Sequence, residues 1–229
     1  MRANHKTHSV LLSVLLWALP LLPTVVSAQV LIPMDESQQR DHLKAYGLLY
    51  NAIENGYDCH WLLNHRGGSF AILNADSKLI QQALLRGVSY ETSSAAQLVQ
   101  LMADLKSPAN NTNPVALQRV PKIAVYSPDG AQPWDDAVTM VLEYADIPFT
   151  TIYDTEVLDG SLGDYQWLHL HHEDFTGQYG KFYGSYRDAA WYINQKASFE
   201  AAAIEMGFPK VSQQKLAVAK TIATFVENG

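Results

Sequence analysis

Apolar residues recur along this chain at two periods, and the alternation between them predicts the elements. Leu43, Tyr46, Tyr50 and Ile53 fall at helical spacing, giving a helix from a Ser37 cap to about Asn55 with Gly56 stopping it. A strand follows over 57–63. The polar glycine turn Asn64-His65-Arg66-Gly67-Gly68-Ser69 leads into the short apolar run 70–73, and Asp76 caps a helix ending at Arg86-Gly87. A short strand over 88–91 precedes a helix capped by Ser93 or Ser94, with Leu98, Leu101, Met102 and Leu105 on one face. In the second half, 122–127 is a short apolar strand turned by Pro128-Asp129-Gly130. A helix over 135–146 carries Val138, Val141, Leu142 and Ala145 at i, i+3, i+4 and i+7. Strands over 149–153 and 167–171 follow, then a helix over 215–226 with Val218, Ile222, Phe225 and Val226 on one side. Strands alternating with helices predict an α/β fold with crossover units and a largely parallel sheet covered on both faces.

Between the halves, 107–119 opens with Ser-Pro-Ala-Asn-Asn-Thr-Asn-Pro, turn formers without an apolar period, which predicts a linker joining an N-terminal α/β unit (29–106) to a second one (120–229). Asn110-Asn111-Thr112 matches a glycosylation acceptor, a pattern too common to build on.

The N-terminus adds a compartment. Arg2, His5 and Lys6 precede an apolar run over 10–22 and the small residues Val26-Ser27-Ala28, the order of a secretory signal peptide (1–28) cleaved after Ala28. A membrane anchor is the alternative, but the run is short for a span and Pro20 and Pro23 interrupt its end. Export to the periplasm or outside the cell is therefore expected, with no stable membrane span after cleavage. No Cys follows the cleavage site for a lipid anchor.

Residues 1–28 hold two of the 16 basic residues and none of the 23 acidic ones, so the net charge moves from −7 to −9 on cleavage. Such a surface repels nucleic acid and anionic lipid. The single cysteine, Cys59, has no intrachain partner and sits inside a predicted strand, where it reads as a small core residue.

Candidate chemistry gathers after Trp167. Alternation puts Trp167, His169 and His171 on one face of a strand, with Leu168 and Leu170 on the other. In open parallel sheets ligands sit outside the carboxyl ends of strands, which is the place of His171, His172, Glu173 and Asp174. Imidazole beside carboxylate suits proton transfer, and a divalent metal is the alternative occupant. His171, His172 and Glu173 are the candidate catalytic residues. His169, Asp174, Gln178, Tyr179, Lys181 and Asp135 are the candidate substrate contacts. Asp135 and Asp136 also suit the start of a helix. The run 175–187, dense in glycine and tyrosine, fits either a binding lid or a packed surface loop, with Tyr179, Lys181, Tyr183 and Arg187 placed to meet a polar or carbohydrate ligand. Arg66-Gly67-Gly68-Ser69 is a weaker anion-binding candidate.

Several runs carry a resemblance: 122–128, 132–138 and Trp167-Leu-His-Leu-His-His-Glu-Asp-Phe-Thr-Gly-Gln-Tyr-Gly-Lys-Phe, with 42–47 and 62–70. They resemble an exported bacterial family labelled asparagine synthetase B. The resemblance covers nearly the whole mature chain. It implies a class I glutamine-amidotransferase-like, flavodoxin-like fold, an amide or polar small-molecule ligand, and a further strand with a cysteine-bearing turn beyond Gly229, so that the second unit is expected to be incomplete. The ATP-dependent two-part synthetase of the same name is a different case: its N-terminal cysteine and Ser-Gly-Gly-x-Asp-Ser loop have no counterpart here, since the mature start is Gln29. A non-catalytic module for carbohydrate or peptidoglycan fragments is the alternative function.

Overall fold

The computed structural model describes residues 27–128, 136–170 and 178–228, which contain two sheets of different character. The first sheet is built from β1 (Ala28–Ile32), β2 (Asp58–Leu63), β3 (Phe70–Ala75), β4 (Glu91–Ser93) and β5 (Asn113–Leu117), in the order β4-β1-β3-β2-β5. Every pairing in it is antiparallel, which corrects the expectation of crossover units in this half. The reason is the link between β2 and β3. Residues 64–69 make a tight hairpin, and so short a link can only return the chain antiparallel. Asn64, Arg66, Gly67 and Gly68 take positive φ there. At Gly67 a Cβ would lie 2.4 Å from the Met34 carbonyl oxygen, so only glycine fits.

Three further expectations change. The first helix, α1 (His42–Glu54), starts later than Ser37: Asp41 caps it by accepting from the Lys44 N–H, while Ser37 Oγ donates to Asp35. The expected strand over 88–91 is displaced to β4. The stretch expected to be a linker supplies β5, which pairs with β2 at the sheet edge, where Pro114 is tolerated because one side needs no ladder donor. The strand β1 begins at the last residue of the expected leader, so cleavage there would leave Gln29 opening it.

Both faces of this sheet are covered. On one, α1 and α2 (Ser77–Arg86) pack Ala45, Leu48, Leu49, Ala52, Leu79 and Ala83 on Val30, Ile32, Cys59 and Ile72. On the other, α3 (Ala95–Leu105) sets Leu98 and Leu105 against Leu62 and Ala71, after a Ser94/Gln97 capping box.

The second sheet is parallel: β6 (Ile123–Tyr126), β7 (Thr150–Ile152) and β8 (Trp167–Leu170), in the order β7-β6-β8. Between β6 and β7 lies α4 (Ala137–Ala145), which puts Leu142 on Ile123 and Val125. The opposite face receives α5 (Asp154–Leu158) and α9 (Val211–Glu227): Val157, Val218 and Ile222 pack on Ala124, Tyr126 and Ile152. The helices α6 (Gln178–Lys181), α7 (Tyr183–Tyr186) and α8 (Ala190–Glu205) lie between β8 and α9 in the chain.

The two units meet through α1 and α4. Gly47 allows the approach, because a Cβ there would lie 1.7 Å from the Ala145 carbonyl oxygen. Asp146 takes Lys44 at 3.3 Å and Arg86 at 2.9 Å, and Tyr144 donates to Asp41. No helix among the described residues is long and apolar enough to cross a membrane.

Candidate functional site

Two polar groups stand at the carboxyl ends of the parallel strands, one on each face of the sheet. The first is a pair. His169 lies opposite Val125 in the β6–β8 register and so shares the α4 face, where its Nε2 meets Asp136 Oδ2 at 2.8 Å. Asp136 is the N-cap of α4, its Oδ1 accepting from the Val138 N–H at 2.6 Å and the Thr139 N–H at 3.2 Å. That local rule, a short acidic side chain ahead of an apolar helix, is what places the carboxylate beside the imidazole.

Burial alone would raise the Asp136 pKa. The hydrogen bond from His169 and the two backbone N–H groups outweigh it and hold the carboxyl at about 2. Asp136 is only 4% exposed, whereas the His169 side chain keeps 19%. The pair is thus a buried anion with an imidazole between it and solvent, an arrangement that orients a histidine for proton transfer.

The second group is closed. Lys215 of α9 is 5% exposed, and its three donors reach Tyr126 Oη at 3.2 Å, Tyr153 Oη at 2.8 Å and Asp154 at 2.8 Å. The Tyr126 O–H donates to Asp154 Oδ1 at 2.7 Å, and Gln214 Nε2 to Asp154 Oδ2 at 2.9 Å. Desolvation first, and the Asp154 charge next, push the Tyr126 phenol well above its usual range, so it stays protonated. The Lys215 ammonium also lies 4.2 Å from the Tyr153 ring centroid. A buried cation with its charge matched and its donors directed inward braces α9 to the ends of β6 and β7. Gln214 Oε1 is the one buried acceptor of the group left without a partner.

Of the residues predicted from sequence, His169 is among the described ones and meets Asp136. Asp135, a predicted substrate contact, lies outside the described residues; Asp136, read with it as a helix start, caps α4 and also meets His169. His171, His172, Glu173 and Asp174 also lie outside them, as does the side chain of Gln178. Tyr179 and Lys181 sit on α6. Tyr179 Oη donates to Glu200 of α8 and its ring meets Phe199, which in turn meets Tyr153 on the Lys215 side of the sheet. Lys181 lies over the Phe182 ring at 5.2 Å. Tyr179 thus packs toward the Lys215 side of the sheet, opposite the face that His169 shares with α4.

Arg66 is held by carboxylates, Asp35 at 3.1 Å and Glu91 at 2.8 Å, so its charge is spent within the fold and not on an anion. Cys59 is fully buried and its thiol is pushed up to about 12 by desolvation, which removes it as a nucleophile. Among the described residues no group of three His, Cys, Asp or Glu is placed to hold a metal ion.

Sequence reasoning missed Lys215 and Gln214. The signal was positional: Gln214, Lys215, Val218 and Ile222 share one helical stripe, so a lysine on an apolar face had to be buried and paired. No family model, curated protein or solved structure matches this chain.

Proposed function

We propose that this is an exported, amidotransferase-like protein that binds a polar small molecule carrying a carboxamide at the carboxyl rim of its parallel sheet. In this reading His169 moves a proton to or from the ligand and Asp136 anchors it. The observation that carries the reading is the 2.8 Å His169–Asp136 contact, with the carboxylate buried and ionised.

Topology supports the location. The strand order β7-β6-β8 is what the first three strands of a flavodoxin-like sheet have, 2-1-3 in chain order. The connection after β6 leads to α4 on one face, and that after β8 to α9 on the other, so the ends of these neighbouring strands form a switch point, where ligands of such sheets bind. His171, His172 and Glu173 belong to this proposal as catalytic groups, and Asp174 as a contact, on their place in the sequence.

Asp136 stabilises the imidazolium once His169 has taken a proton, which lowers the cost of separating charge at the rim. The backbone N–H groups at the start of α4 keep the carboxylate itself from becoming the proton acceptor.

An exposed aromatic group favours a second reading, a glycan-binding module. Tyr186 and Trp191, each 45% exposed, lie with ring centroids 5.3 Å apart beside Phe182 and the exposed Tyr183. A thermal-shift panel of the mature chain with L-glutamine, L-asparagine, chitooligosaccharides and muropeptides separates the two. A ligand at 100 times its Kd stabilises by about 2.7 kcal/mol. An upshift with the amides supports the first reading. An upshift with glycans alone, lost in Trp191→Ala, supports the second, and no upshift with any of them contradicts both.

A further inference from the structure

We infer that Nδ1 of His169, and not Nε2, is the nitrogen that meets the ligand, and that it meets a proton-donating group such as the N–H of a carboxamide. This rests on the proposed function above and fixes which atom performs it.

An ionised carboxylate can only accept, and Asp136 is an anion at neutral pH. The 2.8 Å contact from Asp136 Oδ2 to His169 Nε2 therefore requires the proton to be on Nε2. In the neutral imidazole the other nitrogen then carries a lone pair. Among the described residues none donates to Nδ1: the Asp136 contact is the ring's hydrogen bond, and the side chain keeps 19% of its exposure. The Thr139 N–H donates to Asp136 Oδ1 at 3.2 Å and its hydroxyl to the Asp136 carbonyl at 2.9 Å.

Orientation follows from the fold. The side chain leaves β8 on the α4 face, and two backbone N–H groups of the helix cap hold the Asp136 carboxylate, so the ring cannot exchange its nitrogens without losing it. A ligand that only accepts hydrogen bonds meets a lone pair and is disfavoured. One that offers an N–H or O–H is accepted, and after proton transfer Nδ1–H becomes the donor returned to it. The imidazolium in that state keeps its Nε2–H on Asp136, so no group other than the transferred proton has to move.

The test is long-range proton–nitrogen NMR on the mature chain labelled with 15N at histidine, the His169 signals being those absent from His169→Gln. The expected result is the Nε2–H tautomer, with Nδ1 unprotonated in the neutral ring, and loss of that preference in Asp136→Asn, which keeps the helix cap. Addition of L-glutamine should then shift Nδ1 and leave Nε2 in place. A neutral Nδ1–H tautomer overturns the inference while leaving the ligand reading standing. L-Glutamine binding, followed by calorimetry on the same sample, without movement of Nδ1 also overturns it. Absence of glutamine and asparagine binding removes the carboxamide reading together with the ligand assignment built on it.

Discussion

The two polar groups flanking strand β6 use similar chemistry to opposite ends. On the α9 side, Lys215, Asp154, Tyr126 and Gln214 are all buried, and the lysine's three donors end on protein acceptors. On the α4 side, Asp136 is equally buried, but its imidazole partner keeps one nitrogen and part of its surface outside the network. Both contain a buried carboxylate held by several donors. What separates a brace from a candidate site is access: the Lys215 group is buried throughout, whereas His169 reaches solvent. A sequence reading cannot see that difference, because it depends on which residues the helices bring to each strand end.

The largest effect tests the brace. Lys215→Met leaves Asp154 buried without its cation and is expected to destabilise the protein by about 3–5 kcal/mol, read from urea unfolding. The double variant Lys215→Met/Asp154→Leu should recover a large part of this loss, since a pair removed together leaves no orphan charge. Equal instability in the double variant would mean that the packing, not the ion pair, carries the brace.

Asp136→Asn comes next. Asparagine caps a helix as well as aspartate, so the change isolates charge. The folded pKa is lowered to about 2, so the stabilisation is present above the unfolded value near 3.9 and is lost as pH falls through about 2. The variant should be less stable by about 2 kcal/mol at pH 7, with the gap closing toward pH 2. A gap independent of pH would sink the assignment of a buried, ionised carboxylate.

His169→Gln should change stability far less than Lys215→Met, within about 1 kcal/mol, because the side chain reaches solvent and Asp136 keeps its two backbone donors. A loss as large as that of Lys215→Met would make the pair another brace. Cys59 gives the smallest effect. With its thiol pushed up to about 12 inside the first sheet, iodoacetamide at pH 8 should leave it unmodified in the folded protein and label it in urea.

Local signals were legible where a single helix or strand explains them. The Asp76 cap, the Gly87 stop, the helix start at Ser93 or Ser94, which the structure places at Ser94, the faces of β8 and the burial of Cys59 follow from short-range rules and appear in the structure. The antiparallel sheet went unread because alternation of strands and helices is shared by both sheet types, and the short link over 64–69 that decides between them was taken only as a turn. The strand β5 read as a linker because an edge strand tolerates proline and polar residues. At the site, His169 was found by its strand period. Asp136 was seen only as a helix start, since its second partner lies 33 residues away, and Lys215 escaped because lysine reads as solvated unless its stripe is noticed.

Calorimetric titration of residues 29–229 with L-glutamine, wild type against His169→Gln, tests the central claim most directly. The account predicts binding heat for the wild type that disappears in the variant, while the two unfold at closely similar urea concentrations. Equal binding by a folded variant, or none by the wild type, would contradict it.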